Sequence, residues 1–498
     1  MTTNDLFSAS SSAVSSSASS SIQLFFACTQ YAAATVTAAL RAGLFGSRAD
    51  HRRILVVSDV SASPELGTPL DARPGCERLL PDFDEVRSWN DFIRPFHPAG
   101  WSPREQDAPL WQRAVREAWN LGDGPVEIAC ESIQANPSQA VATIFSESPI
   151  HIYADGLMSY GPTRSKLHPL IGSRVERLLH LDLVPGLEPL LLTEFGVAPE
   201  IIPTDVFVKV LAELADAAEA ADAAVELTDG GSGAGGLAGT AGGSAAGTGS
   251  TGGTGGTGAD GERPALLLGQ YLSRLGILTP AEEEELHVEM VRGAVARGHR
   301  NVVFKPHPSA PDQWSRRLEE EAEQLGARLT VHAEPSLAEV LYQRLSPALV
   351  VACFSTALLT ASAFYDLPVA RVGTELLLER LSPYQNSNRV PVTIVDALLP
   401  PLDPEAATAH RPDERIAELV AAVGFAMQPQ IYPELRPTAE NYLTHHLDRR
   451  TWRYFKRRRL TALALPGAVP AQLAFIPRNA TVRRVARRAR SLKKATLG

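Results

Sequence analysis

Asn301-Val302-Val303-Phe304-Lys305-Pro306-His307-Pro308 sets the reading of the whole chain. A short apolar run ends on a lysine, and two prolines then bracket a histidine. Apolar runs bounded by turn formers read as fully buried strands of a parallel sheet. The polar residues then fall at the strand's carboxyl end, where open α/β sheets bind ligands. The same order recurs three times. The run 150–154 leads into Asp155-Gly156, 265–268 into Gly269-Gln270-Tyr271, and 349–354 into Ser355-Thr356. Four polar clusters at four strand ends outweigh any one of them.

Working outward, strands are expected at 22–28, 54–58, 126–130, 150–154 and 178–183 in the first half. In the second they fall at 265–268, 301–305, 328–332, 348–352 and 368–372, with a further candidate at 392–395. Helical patterns separate them, at 31–42, 109–121, 138–145, 204–227, 313–325, 337–344, 356–365 and 413–427. One more helix starts sharply: Thr279 is its cap, Pro280 its first residue, and Glu282 completes a capping box. Gly298 suits its end. Strand–helix alternation in both halves implies two parallel sheets with right-handed crossovers.

The chain has 498 residues, 44% of them hydrophobic, which suits two globular domains. No run approaches the roughly 18–20 apolar residues of a membrane span. Residues 1–21 hold ten serines and no Lys or Arg, and read as a disordered segment, not a signal peptide. Of residues 229–261, 16 are Gly, a flexible linker between domains at 22–228 and 262–435. Cys28, Cys76, Cys130 and Cys353 lack metal-ligand spacing and read as reduced core residues of a cytosolic protein. The net charge of −9 conceals an asymmetry: residues 449–498 carry fifteen Lys or Arg and no acid. The expected helical, basic tail at 436–498 therefore has an anionic partner.

Asp155 at a strand exit is placed to act as a general base toward a hydroxyl. Lys305 and His307, with Pro308 stiffening the loop, offer cations for a departing phosphate. Ser355-Thr356 opens a helix, whose free N–H groups and dipole attract phosphate. Glu334 follows a strand and suits ribose hydroxyls. Glu131 and Gln134 follow another and suit an acceptor sugar. Each also has an ordinary reading: turn aspartate, exposed loop histidine, plain helix cap, solvated acid. No phosphate-binding Walker loop, Asp-x-Asp element or His/Cys cluster occurs, so neither a metal nor another cofactor is expected.

Together these segments resemble the bacterial sialyltransferases, most closely the α-2,8-polysialyltransferase-type families. The acidic-Asp-Gly element appears as Ala154-Asp155-Gly156, with alanine where the family usually has a first acid. The His-Pro element appears as Lys305-Pro306-His307-Pro308, and the paired hydroxyls as Ser355-Thr356. The resemblance implies a GT-B fold, two Rossmann-like domains facing across a cleft. It also implies inverting, metal-independent transfer from a CMP-activated sialic or related ulosonic acid to a glycan hydroxyl. By motif position Asp155 is the base. His307 assists the departing CMP phosphate, Ser355 and Thr356 bind it, Glu334 holds the ribose, and Gly269 lies against the nucleotide.

Two other readings stay open on sequence. One is a teichoic-acid-type polymerase using a CDP-activated polyol, which shares a Lys-Pro-His-Pro-like loop. The other is an inactive binding protein of the same fold. No nucleic-acid partner is expected, because the basic tail lacks a recognition module. Trp452, Tyr454 and Phe455 among Arg453 and 456–459 instead suggest a basic helix lying on an anionic membrane face. The expected location is cytoplasmic, peripheral at the inner membrane.

Overall fold

The computed structural model describes residues 21–154, 156–229, 263–307 and 313–468. Most of the serine-rich start and of the glycine-rich stretch lies outside them; Ser21, expected in the former, opens the first strand. The first sheet has seven strands: β1 (Ser21–Ala27), β2 (His51–Val57), β3 (Glu85–Ser88), β4 (Val126–Cys130), β5 (Ile150–Ala154), β6 (Val175–Leu181) and β7 (Pro199–Ile202), in the order 3-2-1-4-5-6-7. The second has five: β8 (Ala265–Leu268), β9 (Asn301–Lys305), β10 (Arg328–Val331), β11 (Leu349–Ala352) and β12 (Val369–Arg371), in the order 10-9-8-11-12. Every neighbouring pair is parallel. Both orders run outward from the first strand and then reverse, the doubly wound pattern. Both sheets are therefore Rossmann-like, as the alternation implied.

The central strands are covered on both faces, which is why their sequences are continuously apolar. Leu24, Phe25, Phe26 and Ala27 of β1 are buried, as is the whole run Ala265–Leu268 of β8. Ala265 pairs with Leu349 of β11 on one side and Val302 of β9 on the other. The helix Gln30–Arg41 is capped by Thr29, whose side chain accepts from the Ala32 N–H. Its Ala and Thr residues let it pack closely within the first unit. The helix Pro280–Ala296 carries the full capping box of Thr279 and Glu282, and Gly298 beyond it takes φ +94°.

The expected strand at 392–395 is instead part of the helix Arg389–Leu398. Arg389 through Ala397 are all buried, so the helix has no solvent face to mark its period. A buried helix and a buried strand then look alike in sequence. Pro391 stands in the first turn, where a missing N–H costs nothing. The short outer strands β3 and β7 are partly polar and escape the apolar pattern, as edge strands do.

The chain divides into two compact units. The second unit includes Gly156–Lys166 and Leu183–Gly196, two excursions from the first half of the sequence. They are held within it by Tyr432, which is fully buried. Its hydroxyl accepts from the Thr163 N–H at 2.8 Å and lies 3.0 Å from the Leu190 carbonyl and 2.8 Å from Glu194 Oε2. Such long-range pairing leaves no mark in local sequence.

Residues 436–468 also belong to the second unit. There the expected membrane-facing helix is corrected. Tyr454 and Phe455 are buried, and Tyr454 donates to Asp396 Oδ2 at 2.8 Å. Arg453 pairs with the same carboxylate at 3.2 Å, and Arg459 donates to the Ala426 carbonyl at 2.6 Å. Asp396, itself 1% exposed, also pairs with Arg371 at 2.9 Å. A buried carboxylate needs such partners, and this stretch is drawn inward to supply two of them. Residues 469–498, with the rest of the basic tail, lie outside the described residues. Among the described residues no helix is long and apolar enough to cross a membrane.

Candidate functional site

In the second sheet the order reverses between β8 and β11, and the polar motifs collect at the carboxyl ends around that point. Gly269 follows β8, and its N–H donates to the Lys305 carbonyl at 2.9 Å. A Cβ on Gly269 would stand 2.9 Å from Phe304 Cζ and 3.3 Å from that carbonyl, so only glycine fits. Gln270 bridges the switch point: its Oε1 accepts from the Phe354 N–H at 3.0 Å.

Lys305 ends β9 with 9% of its surface exposed, and its Nζ donates to the Glu334 carbonyl at 3.4 Å. Burial pushes its pKa down to about 8, against an opposing pull from Glu339. Glu339 is buried and accepts from Thr360 Oγ1 at 2.7 Å. Burial raises its carboxyl, while Thr360 and then Lys305 offset part of that rise. Glu339 is absent from the sequence-based candidates, because an acid in the first turn of an amphipathic helix looks solvated. His307 is exposed at the loop. Desolvation first, then the charges of Lys305 and Arg274, hold its pKa below the ordinary histidine value. Its ring lies 6.2 Å from that of Tyr271.

Ser355 is the N-cap of the helix Thr356–Tyr365, and its side chain accepts from the Ala357 N–H at 3.2 Å. Thr356 Oγ1 accepts from the Leu157 N–H at 3.4 Å. Glu334 is exposed, and its backbone rather than its carboxylate meets Lys305. In the first sheet, Glu131 follows β4 at the corresponding reversal, and its carboxylate accepts from the Cys28 N–H just beyond β1. The Gln134 N–H donates to Ser132 Oγ at 3.2 Å. Gly269, Lys305, His307, Glu334, Ser355 and Thr356 thus share the carboxyl end of one sheet, and Glu131 and Gln134 that of the other. Asp155 and Pro308 lie outside the described residues. Among the described residues no group of three or more His, Cys, Asp or Glu is disposed to hold a metal.

Residues 23–374 match the family model described as Alpha-2,8-polysialyltransferase (POLYST). The chain belongs to this family. It is therefore a glycosyltransferase, and the two parallel-sheet domains are those its family resemblance implied. No curated protein matches the sequence. Among solved structures, the polysialyltransferase-family chain is similar to the GT-B domain of a sialyltransferase from Photobacterium damselae, at 10% identity and a TM-score of 0.38, over 75% of this chain and 95% of that one. It is similar to a UDP-GlcNAc 2-epimerase from Neisseria meningitidis at 7% identity and a TM-score of 0.41, over 86% and 95%. A glycosyltransferase from Rickettsia africae matches at 12% identity and a TM-score of 0.32, over 67% and 72%. These likenesses are distant, and the family assignment rests on the sequence match.

Proposed function

We propose that this protein transfers sialic acid, or a related ulosonic acid, from a CMP-activated donor to a glycan hydroxyl, with inversion and without a metal. The family match over residues 23–374 carries this reading. Asp155 takes the proton of the acceptor hydroxyl as its oxygen attacks the anomeric carbon. The bond from that carbon to the CMP phosphate breaks on the opposite face. The cationic Lys305 and the N–H groups of the first turn of Thr356–Tyr365 offset the charge left on phosphate. His307 stabilises the leaving phosphate with a ring N–H hydrogen bond or a proton. Gly269 lies against the nucleotide, Glu334 holds its ribose, and Glu131 and Gln134 face the acceptor. The basic segment 469–498 attaches the enzyme to an anionic inner membrane face.

The test is a donor screen for nucleotide release, with CMP-sialic acid and CDP-glycerol offered alongside glycan acceptors. CMP release that Asp155→Asn reduces at least a hundredfold is expected. Release from CDP-glycerol alone would establish the polyol-polymerase reading instead, and unimpaired turnover in the variant would remove Asp155 as the base.

A further inference from the structure

The helix Thr356–Tyr365 opens with two hydroxyls, and the structure puts them to different uses. Ser355 closes the helix's own N-terminus through the Ala357 N–H. Thr356 Oγ1 instead accepts from the Leu157 N–H at 3.4 Å, a residue 199 positions away in sequence. The approach is close. A Cβ placed on Gly156 would stand 2.9 Å from Thr356 Oγ1, with Cγ2 at 3.8 Å and Cβ at 3.9 Å. Gly156 has φ −157° and ψ −174°, extended backbone open to any residue. Its glycine is therefore required by the neighbouring threonine and not by backbone conformation. Both sides of this contact belong to the second unit.

Beyond the contact, the segment is firmly anchored. The Ser159 carbonyl accepts from the Leu191 N–H at 3.1 Å, and the Thr163 N–H meets the buried Tyr432 hydroxyl at 2.8 Å. Gly156-Leu157 is thus fixed from one side by Thr356 and from the other by its own continuation. Asp155 is the residue that precedes Gly156 in the sequence.

We infer that Thr356 is a positioning residue for the Asp-Gly segment rather than a ligand of the donor phosphate. The phosphate is left to Ser355 and the helix N–H groups. The pairing of Gly156 with Thr356 then links two motifs far apart in sequence: a small residue in one makes room for the hydroxyl of the other. This inference rests on the function proposed above for its catalytic consequence, but the contact itself does not.

The test compares Thr356→Ala, Thr356→Ser, Gly156→Ala and the double variant Gly156→Ala/Thr356→Ala in the full chain. In CMP release, Thr356→Ala is expected to lower kcat at least tenfold with the donor KM within twofold of the parent, and Thr356→Ser to recover kcat to within threefold. A donor KM raised tenfold at unchanged kcat would overturn the inference, since that is the signature of a lost phosphate ligand. In thermal unfolding, Gly156→Ala is expected to lower Tm, and adding Thr356→Ala to restore part of that loss. Losses that simply add would overturn the contact. If the parent releases no nucleotide from any donor, the proposed function fails while the unfolding comparison still decides the contact.

Discussion

Thr360 Oγ1 donates to Glu339 Oε1 at 2.7 Å, binding the helix after β10 to the helix after β11. The acid it holds opposes the burial that pushes the Lys305 pKa down to about 8. The kcat/KM for CMP release should therefore fall as pH rises through about 8, because the free enzyme loses the Lys305 charge there. Lys305→Arg keeps the charge at higher pH and should move this limb upward by at least a unit. A pH–rate profile of both proteins checks it.

The same depressed pKa fixes the sign of a stability effect. Between about 8 and the ordinary lysine value of 10.5, the unfolded chain keeps the lysine proton that the folded chain has lost. Stability from this residue therefore rises with pH across that window. Lys305→Met should lack the rise, as urea unfolding at stepped pH would reveal.

Tyr454→Phe removes the hydroxyl that Asp396 accepts from at 2.8 Å. Asp396 keeps Arg371 and Thr374, so the cost should be about 1–2 kcal/mol. Asp396→Ala takes from the buried Arg371 its one fully buried counter-charge among the described residues, and should cost about 3–5 kcal/mol. Urea unfolding of the two variants compares them.

Truncation after Ala468 keeps the docked residues and removes the rest of the basic tail. Anionic liposome sedimentation should fall while Tm stays within about 2 °C, since Tyr454, Arg453 and Arg459 keep their partners. Truncation after Leu447 also removes Tyr454 and Arg453, and should lower Tm markedly.

Strand ends are legible in the sequence because burial on both faces writes a continuous apolar run, and the polar residues that follow then stand out. Ala265–Leu268, Asn301–Lys305 and Ile150–Ala154 have the bounds expected of them. Ser355 is legible as a cap because a Ser-Thr pair follows such a run. The helix Arg389–Leu398 is not, since its burial erases periodicity. Glu339 is hidden because its neighbours in space, Lys305 and Thr360, come from other elements. The docking of Tyr454 depends on Asp396, 58 residues away, and composition alone makes that stretch look like a membrane contact.

The excursions Gly156–Lys166 and Leu183–Gly196 make the glycine-rich stretch a poor place to divide this protein. Its composition invites a protease cut or a two-plasmid expression there. The downstream fragment would then lack Thr163, Leu190 and Glu194, leaving the Tyr432 hydroxyl buried with these protein partners gone. The halves are not independent modules: the second is finished by pieces translated before the stretch that seems to separate them.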